Sequence, residues 1–139
     1  MQRFDTKYTQ KNYHADVEIL ESVWLPTTEW MTDSEYQQEM LRSAEILNEV
    51  RPYGLLANTQ NMRFAIAPDL QQWTGEVISP LFMTSGLKKI AFVVPNGIFE
   101  QIALQQMLED ANAVKNILSY SFRYFDNEKD AYTWLKERF

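Results

Sequence analysis

His14 is the one imidazole of the chain, and there is no cysteine. Multi-histidine metal sites, zinc–thiolate sites, disulfides and thiol nucleophiles therefore fall outside its chemistry. His14 sits in Tyr13-His14-Ala15-Asp16, which reads as a hairpin turn, and a solvated turn histidine is expected there. Asp126-Asn127-Glu128-Lys129-Asp130 has the acid density of a calcium loop, but it lacks the central glycine and the distal bidentate Glu. A capped helix start explains it better. Glu109-Asp110 reads as a solvated helix face. Gly54, Gly75, Gly86 and Gly97 are scattered singly, so no glycine-rich loop cradles a phosphate, and no G-x-S-x-G elbow presents a nucleophile. Two carboxyls brought together by the fold are the remaining route to catalysis. The expectation is a chain that is not an enzyme and holds no cofactor.

The elements that would position such groups follow from periodicity. The segment from about Thr6 to Leu25 is β-like: Val17, Ile19 and Val23 alternate with Glu18, Leu20, Ser22 and Trp24. Apolar residues on both faces place this strand inside a covered sheet. Thr32-Asp33-Ser34-Glu35 has capping-box spacing, and Tyr36, Met40, Ala44, Leu47 and Val50 share one helical face until Pro52 ends it. Tyr53-Gly54-Leu55-Leu56-Ala57 is a buried strand that ends at Asn58. A second helix starts near Pro68, with Leu70, Trp73, Val77 and Leu81 inward and a kink or break near Pro80. Gly86 stops it. Lys88 to Pro95 is the strongest strand; a third helix follows from about Ile98 to Ala111, with Ile98, Ile102 and Leu108 inward. A last strand covers Tyr120 to Phe125. Asp126 caps a final helix bearing Ala131, Trp134 and Leu135. The order is β-β-α-β-α-β-α-β-α, an α/β fold with a mixed, mostly parallel sheet of about five strands and about four helices. With 139 residues and no linker, residues 1–139 form a single domain.

Open α/β sheets bind ligands beyond the carboxyl ends of their strands. The loops there are Asn58 through Arg63, Pro95-Asn96-Gly97 and Asp126-Asn127. Each leads to a helix N-terminus. The candidate binding residues for a partner are therefore Asn58, Thr59, Gln60, Asn61 and Arg63, with Asn96. Trp24, Trp30, Trp73 and Trp134 read as core, Trp30 as a staple before the Thr32 cap. The alternative is an aromatic pocket for a small apolar ligand, with Trp73, Phe82 and Phe92 as its wall. A net charge of −6, from 13 basic and 19 acidic residues, argues against a nucleic-acid surface. No stretch approaches a membrane span, and no apolar run follows Arg3 as a secretory signal would require, so a cytoplasmic location is expected. The apolar hairpin strand is an edge through which two copies could pair as a homodimer.

The order of elements, together with Val23-Trp24, Trp30, Glu35-Tyr36, Pro52-Tyr53-Gly54-Leu55-Leu56, Pro68, Trp73, Lys89-Ile90-Ala91-Phe92-Val93, Phe125-Asp126, Ala131 and Trp134-Leu135, resembles the STAS-like (SpoIIAA-like) domains. More narrowly it resembles the small stand-alone STAS/CRAL-TRIO-type proteins of bacteria. The resemblance implies a non-enzymatic, regulatory, protein-binding module whose partner docks around the second βα loop, here Leu56 to Met62. Its anti-anti-sigma members are switched by phosphorylation of a Ser or Thr at the start of the next helix, which adds about −1.5 to −2 charges. The family's Asp-Ser pair is missing here. Asn58 stands where narrower relatives often have Asp, and Thr59 is the loop's hydroxyl. The other branch of the superfamily holds lipids or other apolar ligands between sheet and helices.

Overall fold

The computed structural model describes residues 2–98 and 119–138. The chain opens on a short strand, β1 (Gln2–Arg3), which pairs antiparallel with β2 (Thr9–His14). β2 in turn pairs antiparallel with β3 (Ile19–Trp24). From β3 the sheet runs parallel through β4 (Gly54–Asn58), β5 (Lys89–Val93) and β6 (Ser121–Phe125), in the order β1-β2-β3-β4-β5-β6. The sheet is mostly parallel, as the alternation of strands and helices requires, but it has six strands and not five. The extra strand is β1. Two residues cannot display a period of two, so pattern reading passes over it. The hairpin also turns later than expected, over residues 15–18, and this puts Tyr13 and His14 within β2.

Helix α1 (Asp33–Val50) starts where the capping box places it. Thr32 accepts from the Glu35 N–H, and the Glu35 carboxylate accepts from the Thr32 N–H. The N-terminal staple is Met31, buried in one cluster with Tyr36. Trp30 is not that staple. It ends the 3₁₀ turn Pro26–Trp30 and is 74% exposed. The helix ends at Arg51, which is left-handed at φ 49°, immediately before Pro52.

The next helical stretch corrects the expected inner face. α2 (Pro68–Trp73) begins with Pro68 in its first turn, as expected. It then passes through a π-helical segment, Thr74–Ile78, before α3 (Ser79–Met83). A π turn inserts one residue into the 3.6-residue repeat. Burial therefore moves from Val77 and Leu81, which are exposed, to Ile78 and Phe82. The break falls just ahead of Pro80, whose ring cannot follow a regular turn. Gly86, at φ 80°, closes the segment.

A helix begins at 96, with Ile98 exposed, and the remainder of the expected third helix lies outside the described residues, as do Ile102 and Leu108. The last helix, α4 (Glu128–Lys136), is capped by Asn127, whose side chain accepts from the Asp130 N–H. Asp126, which the sequence suggests for that role, lies one position too early; its carboxylate instead accepts from the Asn127 amide at 2.7 Å.

The sheet is covered on both faces. On one, α1, the π segment and α3 pack on Leu20, Leu55, Ile90 and Tyr120. On the other, α4 lays Ala131, Trp134 and Leu135 on Ile19, Leu56, Ala91 and Val93. Gly54 permits this close approach, because a Cβ there would stand 3.0 Å from Leu135 Cδ2. Lys89 reaches from β5 to the end of α4 and donates to the Trp134 and Glu137 carbonyls at 2.9 and 2.7 Å. It thus satisfies the orphan acceptors of the last turn.

The assignment of the α4 cap is testable by urea unfolding. Asn127→Ala should cost about 1 kcal/mol, and Asp126→Ala clearly less. Equal losses at the two positions would refute it.

Candidate functional site

The register of the strands builds one row of side chains across the helix-covered face: Lys11, Ser22, Ala57, Phe92 and Tyr124. The neighbouring row is Tyr13, Leu20, Leu55, Ile90 and Phe122. Large residues fill the second row. In the first, the small Ser22 and Ala57 lie between Lys11 and the aromatics. Space is left above them, under α1 and the π segment.

That space is a half-open cavity of about 340 Å³. Trp24, Phe82, Phe92 and Phe122 supply much of its apolar wall, and Tyr36, Met40 and Ile78 close it from the helices. Phe92 stacks on Tyr124 at 5.2 Å between ring centres, and Phe122 meets both rings edge-on. Phe122 lies on β6, the last strand of the sheet, and is exposed. Of the residues expected as a pocket wall, Phe82 and Phe92 line this cavity. Trp73 stands behind the lining, edge-on to Tyr36 at 6.3 Å. The π segment also has a role here: it turns Thr74 so that its hydroxyl pairs with the Tyr36 hydroxyl at 2.8 Å and donates to the Leu70 carbonyl.

The polar part of the wall is Lys11 and its surroundings, which pattern reading of the sequence misses. Tyr13 is the one large apolar residue from Thr9 to His14, so no alternation shows which side chains turn inward. Lys11 is only 1% exposed. Its ammonium donates to Thr9 Oγ1 at 2.7 Å and makes no ion pair within 4 Å with a described carboxylate. Glu39, buried on α1, instead accepts a hydrogen bond from the Thr6 hydroxyl. Ser22 and Ser43 are buried on the cavity wall, and among the described residues their hydroxyls have no hydrogen-bond partner. Burial lowers the Lys11 ammonium from its ordinary value near 10.5 to about 8; Glu39 and Asp5 pull the other way, and Arg42 adds to the lowering.

The expected partner-binding loop is a different region, and much of its polarity is spent inside the fold. Asn58 is buried; its amide donates to Glu128 at 2.6 Å and its carbonyl accepts from the Gln60 N–H. The Thr59 hydroxyl donates to the Val93 carbonyl at 3.0 Å, and Gln60 donates to the Asp126 carbonyl at 2.9 Å. These bonds fasten β4 to the ends of β5 and β6 and to α4. Asn61 and Arg63 are exposed, as is Asn96. The Arg63 N–H donates to Thr28 Oγ1, and its guanidinium lies 4.0 Å from Glu29, which docks the loop on the 3₁₀ turn that carries Trp30.

His14 is half-buried and not a solvated turn residue. Its Nε2 lies 3.0 Å from Glu21 without hydrogen-bond alignment, and its ring meets Tyr132 edge-on at 6.3 Å. Among the described residues there is no cluster of three or more His, Asp or Glu that could hold a metal, and no helix is long and apolar enough to cross a membrane. No family model, curated protein or solved structure matches the chain.

The buried ammonium has a stability signature. The unfolded chain holds the Lys11 proton more tightly than the folded one, so unfolding takes up a proton between pH about 8 and 10.5. Stability of the native protein relative to Lys11→Met should therefore rise across that window, by on the order of 3 kcal/mol at about 1.4 kcal/mol per pH unit. Paired urea titrations measure this, and a pH-independent difference would refute the buried charge.

Proposed function

We propose that this protein is a non-enzymatic carrier or sensor of a small apolar ligand, held in the cavity between the sheet and helices α1 to α3. One observation carries the reading. The strand register sets two small side chains, Ser22 and Ala57, in the middle of an otherwise aromatic and aliphatic row, and this keeps about 340 Å³ unfilled. That volume lies at the lower end of the roughly 300–1,000 Å³ found for small-molecule pockets. Well-packed cores rarely leave such a gap. The wall is mainly hydrophobic and aromatic with a few convergent polar groups, the composition that fixes and orients a small molecule. A SpoIIAA-like fold agrees with this arrangement of a sequential sheet with helices above it, and the lipid-holding branch of that superfamily would supply the precedent.

A neutral apolar dye such as Nile red tests the site directly. The native protein should bind it with a blue-shifted emission. Ala57→Leu, which fills the middle of the row, should weaken binding by about tenfold or more while leaving thermal stability unchanged or higher. Absence of binding to the native protein, or undiminished binding to the variant, would sink the cavity as a ligand site.

A second reading has its own observation. Trp30 is the most exposed large apolar side chain described, and the turn that carries it is docked by Arg63, which bonds Thr28 and lies 4.0 Å from Glu29. Exposed Trp and Arg together are the residues that most often anchor protein interfaces. This edge would serve a protein partner, as a STAS-like regulatory module does at its second βα loop. Pull-downs from the native cell should then lose a specific partner when Trp30→Ala and Arg63→Ala are combined. Recovery of the same proteins by the native chain and the double variant would remove this edge from consideration.

A further inference from the structure

The polar corner of the cavity narrows the chemistry of its occupant. Lys11 is almost wholly enclosed, yet one hydrogen bond, to Thr9, is all its ammonium makes to the described residues. An ammonium has three N–H donors, so two point to groups the described residues do not supply. Across the ladder its direct neighbour is Ser22. Ser22 and Ser43, both buried and both on the cavity wall, keep hydroxyls without a partner among the described residues. A buried charge is ordinarily paired. A cation with two unfilled donors, next to Ser22 on the wall that Ser43 also lines, is therefore a donor site suited to an anion.

We propose that the ligand is an apolar carboxylate, its acyl or aryl body lying against Trp24, Phe82 and Phe92 and its carboxylate received by Lys11 with the Ser22 and Ser43 hydroxyls. This rests on the reading of the cavity as a ligand site. A carboxylate has two oxygens and roughly four acceptor positions, enough to take both remaining ammonium protons and a hydroxyl. The bond to the ammonium is charge-assisted and sits in an enclosed, mainly apolar surround, where such bonds are strongest. The charged groups near Lys11 do not close the site. Glu39 acts on the ammonium at a distance, linked to it through the Thr9 and Thr6 hydroxyls and with no contact within 4 Å; Asp5 is exposed and paired with Arg3, and Arg42 is paired with Glu45. A neutral ligand of the same shape would leave the cation unpaired. The cavity thus discriminates by head group as well as by size.

Calorimetric titration with decanoate and decanol, which share a chain and differ in the head group, tests this near neutral pH. The native protein should bind decanoate about tenfold or more tighter than decanol. Lys11→Met keeps the length of the side chain and removes the charge; it should lose that preference by weakening decanoate while holding decanol. Ser22→Ala should weaken decanoate by about threefold and spare decanol. If the native protein binds the two alike, or Lys11→Met keeps the preference, the carboxylate assignment fails while the cavity reading stands. If the native protein binds neither, and Nile red also fails to bind, the cavity reading itself falls.

Discussion

A buried ammonium must be solvated by the protein that buries it, and this sheet buries two, one on each face. Both come from strand positions, Lys11 on β2 and Lys89 on β5, and both are almost wholly withdrawn from solvent. Desolvation opposes each charge and lowers each amine's affinity for its proton. The two faces answer this constraint differently. Under α4, Lys89 finds the carbonyls of Trp134 and Glu137, and the Trp134 ring stands 4.7 Å away as a cation–π partner. The charge there closes a helix end and helps hold α4 on the sheet. Under α1 and the π segment, Lys11 has Thr9 and open space. The same chemical demand is met by structure on one face and left standing on the other.

That asymmetry follows from what lies above each lysine. α4 is short and regular, and Gly54 lets it approach until Leu135 touches the sheet. The opposite cover is made of α1 and an interrupted α2–π–α3 run, set off by the small residues Ser22 and Ala57 beneath it. The π turn matters because it rotates the end of that run by one residue. Ile78 and Phe82 thereby face the sheet, and Thr74 reaches the Tyr36 hydroxyl. The interrupted helix is thus part of the wall that shapes the cavity.

What can be read from residues alone divides along the same line. Features fixed by neighbours in sequence are legible: the Thr32–Glu35 capping box, Pro68 at a helix start, Gly86 at a helix end, and the unbroken apolar runs of β4 and β5. The inner face of the second helical stretch is not, because Val77 and Leu81 fit a 3.6-residue repeat that the π turn displaces by one. Phe82 and Phe92 line the cavity, and their size and type mark them as large apolar residues in the sequence. The inward direction of Lys11 is not legible, since it depends on pairing with Ser22 across the hairpin, and Thr9 to His14 has no apolar alternation to reveal it. The loop from Asn58 to Arg63 shows the reverse case. Its polarity resembles a binding surface in sequence, but Asn58, Thr59 and Gln60 use that polarity to tie strand ends and α4 together. Asn61 and Arg63 are the exposed remainder.

The cavity also bears on stability. Left empty, a half-open cavity of this size leaves its apolar wall without packing partners. Water can enter a half-open cavity, but against Trp24, Phe82 and Phe92 it finds few partners, and apolar cavities hold water poorly. Water does find partners at Lys11, Ser22 and Ser43. Neither state suits the entire wall: a dry void leaves the cation unpaired, and a filled one leaves the aromatics wet. An occupant apolar along most of its length and anionic at one end satisfies both parts together.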